Sequence, residues 1–133
     1  MVDYLIIYGI TLIVFFVVDM VWLGVIAKKL YQREIGHLLK ENVNWIAAII
    51  FYLLFIGGLV IFVLHPALNR GEFSYALLYG GLFGLMTYAT YDLTNLATLK
   101  DWPLRITLID LAWGTSLGIL TSTLAFLVLQ MIL

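Results

Sequence analysis

Three aspartates, Asp19, Asp92 and Asp110, lie inside long apolar stretches of the sequence. An ionisable side chain in the apolar part of a membrane is costly, so it marks a functional site or a required structural pairing. A carboxyl group can transfer a proton, ligate an oxygen-preferring cation or pair with an organic cation. The sequence therefore offers acid–base or cation-binding chemistry at these positions.

The three aspartates are expected to share one depth in the membrane. They are separated from the nearest basic residue beyond each apolar stretch by nine, eight and five residues, respectively. At about 1.5 Å per helical residue, all three lie roughly 8 to 14 Å inside the belt of basic residues. We expect them to form one polar site in the inner leaflet.

Helical spacing gives each aspartate aromatic and polar neighbours. Asp19 and Trp22 are three residues apart, as are Asp110 and Trp113, so each acid shares a helix face with an indole. These two pairs lie on antiparallel segments and are expected to face each other across a pocket. Asp92 lies on one face of the third segment. The other residues on that face are Gly84, Tyr88, Tyr91 and Asn95, and Thr94 can add a hydroxyl beside them.

No Lys, Arg or His lies at the depth of the acids, so their charge must be neutralised in another way. One alternative is protonation. A second is a bound cation, for which the oxygen ligands Asp19, Asp92, Asp110 and Asn95 favour Mg²⁺, Ca²⁺ or Mn²⁺ over Zn²⁺. A third is that long basic side chains of the loops extend back toward the acids and neutralise them. No haem, zinc–thiolate or nucleotide motif is present, and the chain has no Cys.

The two histidines are predicted to lie at opposite ends of the chain's transmembrane part. His37 falls in the first loop, where it is a candidate for a lid over the acidic site. His65 precedes a proline at the other end, and we expect it to stay apart from the acids.

The elements that position these residues are four apolar segments, predicted as transmembrane helices over residues 4–27, 45–64, 73–99 and 106–133. The composition is 64% hydrophobic and 11% charged, and the mean hydropathy is +1.08. Both values are typical of an integral membrane protein. Short connections make neighbouring helices antiparallel. The sequence therefore predicts a single all-α domain, a polytopic antiparallel bundle of four transmembrane helices in contact with the lipid bilayer.

Loop charges predict the orientation. Six basic residues fall in residues 28–44 and 100–105, while only Arg70 falls in the second loop. By the positive-inside rule, the first and third loops are cytoplasmic and both termini are outside, as in the inner membrane of a prokaryote. Residues 28–44 have the pattern of an amphipathic interfacial segment. The net charge of −1 does not favour nucleic acid as a partner.

Small residues predict the tightest helix contact. Gly80 and Gly84 on the third segment, and Gly114 and Gly118 on the fourth, are small-xxx-small pairs that allow close backbone approach. The same motif is available for a homodimer. Aromatic residues near the segment ends are expected to be interfacial anchors; they are Tyr4, Tyr31, Trp45, Phe73, Tyr75 and Trp102.

Several stretches together resemble one known family. They are residues 16–24, 35–39, 65–67, 88–99, 102–103 and 110–114, and the most specific is the run Tyr-Asp-Leu-Thr-Asn-Leu-Ala-Thr at residues 91–98. The chain resembles the bacterial four-helix membrane proteins of domain of unknown function 2177 (DUF2177). The resemblance implies a four-helix membrane protein and supplies no activity. It points to Asp92, Thr94, Asn95, Asp110 and Trp113 as the positions of interest.

Three functions remain open from the sequence. The first is binding or transport of a cation, a proton-coupled solute or a lipid headgroup, with the indoles as cation–π faces; transport by so small a chain requires a homodimer. The second is a membrane enzyme acting on a lipid or isoprenoid, with an aspartate as general acid or base or as a metal ligand. The third is a structural subunit whose acids serve helix packing.

Overall fold

The computed structural model describes residues 2–133, with side chains from residue 4 onward, and this part is helical without strands. The α-helices are α1 (Val2–Val21), α2 (Lys28–Ile35), α3 (Trp45–Leu59), α4 (His65–Arg70), α5 (Phe73–Thr98) and α6 (Leu104–Ile132). Two π-helical stretches, Trp22–Ala27 and Val60–Leu64, join α1 to α2 and α3 to α4 without a break. The predicted all-α class is confirmed.

Three continuous helical stretches are long and apolar enough to cross a membrane: Tyr4–Leu38, Trp45–Arg70 and Leu104–Ile132. Helix α5 has 26 residues, enough for about 39 Å at 1.5 Å per residue. Its glycines, tyrosines and threonines make it less apolar than the other three. It packs lengthwise against α6.

The first helical stretch extends further than the sequence predicts. Residues 28–38 continue it through α2 and a 3-10 turn, Gly36–Leu38, where we expected a loop. The apolar side of α2 is buried: Leu30 and Ile35 pack with Trp102 and Ile106 at the start of α6. Trp102 is therefore part of an apolar cluster and not an interfacial anchor, and its indole N–H donates to the Thr107 hydroxyl at 3.0 Å.

The second stretch also continues past its expected end at residue 64, through Pro66 to Arg70. A proline normally breaks a helix because it cannot donate to the carbonyl four residues earlier. Here the preceding turn is π-helical, and the N–H of His65 bonds to the Val60 carbonyl five residues earlier. The proline therefore follows a π turn and does not interrupt a regular run of α-helical bonds. The stretch ends at Gly71, whose φ of +66° is left-handed.

Ring contacts show that neighbouring helices run antiparallel. Tyr4, near the start of α1, stacks on His65 in α4 with ring centroids 4.3 Å apart. Trp22, just after α1, stacks on Trp113 in the first half of α6. The start of α5 likewise meets the second half of α6.

The closest helix contact joins α5 and α6 through the four predicted glycines. A Cβ added at Gly84 would collide with the Gly114 carbonyl oxygen, and one added at Gly118 would collide with the Gly80 carbonyl oxygen. The two backbones therefore touch twice, one helical turn apart. No larger residue fits at these crossings without separation of the helices.

The Gly84→Ala variant is expected to be destabilised by about 1 to 3 kcal/mol, because the added methyl must displace the α6 backbone. The matched control is Gly9→Ala on α1, where an added Cβ has nothing within 4 Å. That control should be neutral or more stable by up to about 1 kcal/mol, because alanine favours a helix over glycine. Unfolding in a detergent titration measures both, and equal stabilities would contradict the close contact.

Candidate functional site

The three aspartates of the apolar segments lie at the same end of the bundle. Asp19 comes from the last turns of α1, Asp92 from the last turns of α5 and Asp110 from the second turn of α6. Their exposures are 4%, 0% and 5%. At such burial a carboxyl group needs a partner to offset its lost hydration.

Asp92 and Asp110 are partners of each other. Their carboxyl groups lie close to each other across the α5–α6 interface. Neither oxygen of Asp92 has a hydrogen-bond donor in the described chain. Two ionised carboxylates are acceptors only, so the contact becomes a hydrogen bond only when one of them holds a proton. The geometry is therefore that of a carboxyl pair suited to share one proton.

Tyr31 completes the surroundings of Asp110. Its hydroxyl donates to Asp110 Oδ1, and the Trp22 indole N–H lies within hydrogen-bonding reach of the Tyr31 hydroxyl. The expectation that Tyr31 is an interfacial anchor is wrong. A π-helix uses i→i+5 bonds and more residues per turn, so it changes the angular phase of every residue after Ala27. If the α-helical spacing of α1 is extended through residues 22–27 without this change, Tyr31 is assigned to the wrong face of the helix.

Asp19 does not join the carboxyl pair. Its neighbour is Tyr52 on α3, whose side chain lies close to the Asp19 carboxyl group. The Tyr88 side chain is near all three carboxyl groups and near Tyr52. The site is thus a pair and a single acid with tyrosines among them, rather than one cluster of three carboxylates.

This division limits metal binding. Among residues 4–133, no three His, Cys, Asp or Glu side chains are grouped so that they could hold one metal ion. The expected ligand set of Asp19, Asp92, Asp110 and Asn95 is therefore not assembled. Asn95 is half-buried and lies within hydrogen-bonding reach of Tyr91.

The two Asp-x-x-Trp pairs do face each other, and their indoles stack. The Trp22 and Trp113 rings are 4.4 Å apart at their centroids and 7° from parallel. Each indole therefore turns one face to the other, which leaves only the outer faces for a cation. Their stack ties the end of α1 to α6 beside the carboxyl pair.

Two predicted site residues lie elsewhere. Thr94 is exposed on α5, and the cavities beside the acids do not include it. His37 is exposed in the 3-10 turn after α2 and does not line the cavity that it was expected to cover. His65 lines a separate cavity of about 500 Å³ at the opposite end of the bundle, as expected from its position.

A cavity of about 870 Å³ opens beside Asp110. Asp110, Lys28, Gln32 and the tyrosines give it a polar side, whereas the rest of its wall is mainly apolar. The complete lining is Leu23, Ala27, Lys28, Tyr31, Gln32, Ile35, Leu39, Val43, Trp45, Tyr88, Tyr91 and Asp110. Asp92 is not part of this lining, so it lies behind Asp110 as seen from the cavity.

Comparison with known proteins identifies one family. No curated protein and no solved structure matches the chain. The sequence profile of DUF2177, described as a predicted membrane protein, matches residues 4–127. This match covers most of the chain, confirms the resemblance seen in the motifs and agrees with the apolar helices. The chain therefore belongs to the DUF2177 family of membrane proteins.

Proposed function

We propose that this membrane protein binds a cation at the Asp92–Asp110 pair in exchange for a proton. The observation that carries the proposal is a buried carboxyl pair, one member of which opens onto a large cavity. The donors that reach this pair are a tyrosine hydroxyl and the pair itself, and neither is a cation. Lys28 lies on the wall of the same cavity, but among the described residues it donates no hydrogen bond to either carboxyl group, so a bound cation supplies the positive charge at the pair.

Charge balance makes the exchange favourable. Before binding, one proton shared by Asp92 and Asp110 leaves the pair with a single negative charge. A monovalent cation that enters beside Asp110 takes the place of that proton, which departs to water. The pair then carries two negative charges against one positive charge, so the net charge of the buried site is unchanged. Desolvating additional net charge is the costly alternative, and the exchange avoids it.

The two carboxyl groups have different roles in this exchange. Asp110 faces the cavity and contacts the ligand, while Asp92 is fully buried behind it and is a positioning residue that holds the proton. Tyr31 donates to Asp110 and so must yield or turn when the ligand arrives.

Loop charge supports a cytoplasmic position for the site. The basic residues of the first and third loops flank the end of the bundle that holds the acids; they are Lys28, Lys29, Arg33, Lys40, Lys100 and Arg105. We accordingly place this end at the inner leaflet of a prokaryotic inner membrane, with both chain termini outside. A single copy suffices for binding, whereas transport across the bilayer calls for a homodimer.

Proton release on cation binding tests the proposed function. Tetramethylammonium added to the purified protein in weakly buffered detergent should release close to one proton per bound cation, measured with a pH indicator dye. Asp110→Asn and Asp92→Asn should abolish the release, because an amide cannot hold the exchanged proton. The matched control is Asp101→Asn, an exposed aspartate in the loop between α5 and α6, and it should release as much as the native protein.

Other outcomes favour the other functions. A native protein that releases no proton on cation binding, together with asparagine variants that fail in a complementation test, would contradict the proposal and favour a membrane enzyme. Normal cell function in both variants would instead indicate a structural subunit, since asparagine keeps hydrogen bonding and size.

Cysteine labelling tests the orientation. Because the chain has no Cys, a single introduced thiol reports its own side of the membrane. Asn69→Cys, at the end away from the acids, should react with an impermeant maleimide added to intact spheroplasts. Lys100→Cys should react only after the membrane is opened. The reverse pattern would place the acids at the outer leaflet.

A further inference from the structure

A second cavity adjoins the acidic one. It has a volume of about 380 Å³ and lies between α3 and α5. Tyr88 and Tyr91 line both cavities, so the two spaces are neighbours on either side of these rings. The full lining is Ala48, Phe51, Tyr52, Thr87, Tyr88 and Tyr91. We call this space the side chamber.

The side chamber is apolar in spite of its hydroxyl groups. The Thr87 hydroxyl donates to the carbonyls of Phe83 and Gly84 at 3.0 and 3.1 Å, so it is already satisfied within α5. The Tyr52 side chain lies close to Asp19, which can accept from its hydroxyl. What remains for an occupant is methyl and aromatic ring surface, which hydrocarbon fills better than water.

The side chamber borders the lipid. Helices α3 and α5 touch where Phe55 meets Phe83, with ring centroids 5.3 Å apart. The side chamber lies on the acid side of that contact, between the residues of α3 and α5 that line it. Phe51 is 43% exposed and Tyr91 is 54% exposed. An occupant can therefore enter from the bilayer between these two rings.

We propose that the side chamber receives the hydrocarbon chain of the ligand whose cationic head lies at Asp110. The ligand class is then an amphiphilic amine or quaternary ammonium with one aliphatic tail, taken from the inner leaflet. This inference rests on the proposed function, since Asp110 supplies the contact for the head. A small hydrophilic cation would leave the side chamber unfilled, and a lipid with two chains would exceed its single space.

The dependence of affinity on chain length tests this inference. The probes are butyl-, hexyl- and octyltrimethylammonium, with tetramethylammonium as the tailless reference, bound to the purified protein in detergent. Each methylene that enters an apolar site adds up to about fourfold in affinity. We expect at least about twofold per methylene after competition from the micelle. The proton released per bound cation should stay the same along the series.

Filling the side chamber should remove the chain-length effect. In Ala48→Phe the octyl-to-butyl affinity ratio should fall to near one, because the new ring occupies the space of the tail. The matched control is Ala112→Phe, an exposed alanine on α6 that lines neither cavity, and it should keep the native ratio. Phe51→Ala, which widens the side chamber, should let affinity continue to rise in longer chains.

The outcomes separate the two proposals. Equal affinities along the series, with proton release intact, would overturn the tail site and leave the cation site standing. A native ratio in Ala48→Phe would also overturn the tail site. Chain-length dependence that persists unchanged in Asp110→Asn would show an apolar site independent of the acids and overturn the tail inference. Absence of proton release from the native protein along the whole series would contradict both proposals.

Discussion

The contact between the Asp92 and Asp110 carboxyl groups is the interaction on which the rest of the site depends. Two acids at 0% and 5% exposure cannot both be ionised without a large cost in lost hydration. A shared proton or a bound cation relieves that cost. The Tyr31 hydroxyl stabilises the carboxyl pair when no ligand is bound. The open cavity beside Asp110 admits the cation that replaces the proton.

The glycine contacts between α5 and α6 make this pairing possible. The helices touch backbone to backbone at Gly84 and Gly114 because no side chain intervenes. Gly84 lies about two turns before Asp92, and Gly114 lies about one turn after Asp110. With wider spacing, the short aspartate side chains could not reach each other across the interface. The close packing of α5 and α6 is therefore required for the contact between the two acids. A methyl group added at Gly84 would disturb both.

Much of the fold is predictable from the sequence, because apolar length and loop charge depend only on local composition. The all-α membrane fold and the family are confirmed. The approach of Asp92 and Asp110 follows from their similar distance to one short loop. The contact of Tyr31 with Asp110 does not follow, because a π-helical turn shifts the phase of α2. The separation of Asp19 does not follow either, because it lies beside Tyr52, which is distant in sequence. His37 was expected to be a lid because of its position in a loop. The first helical stretch instead continues into α2, and residues of α2 line the cavity.

The most direct measurement is infrared difference spectroscopy of the carbonyl stretch of a protonated carboxyl group. Without ligand, the native protein should show one such band, sensitive to deuterium exchange and absent from Asp92→Asn and Asp110→Asn. Addition of tetramethylammonium should remove the band as the proton leaves. A ligand-free protein without a protonated carboxyl, or a band that a bound cation leaves unchanged, would contradict the shared proton at this pair.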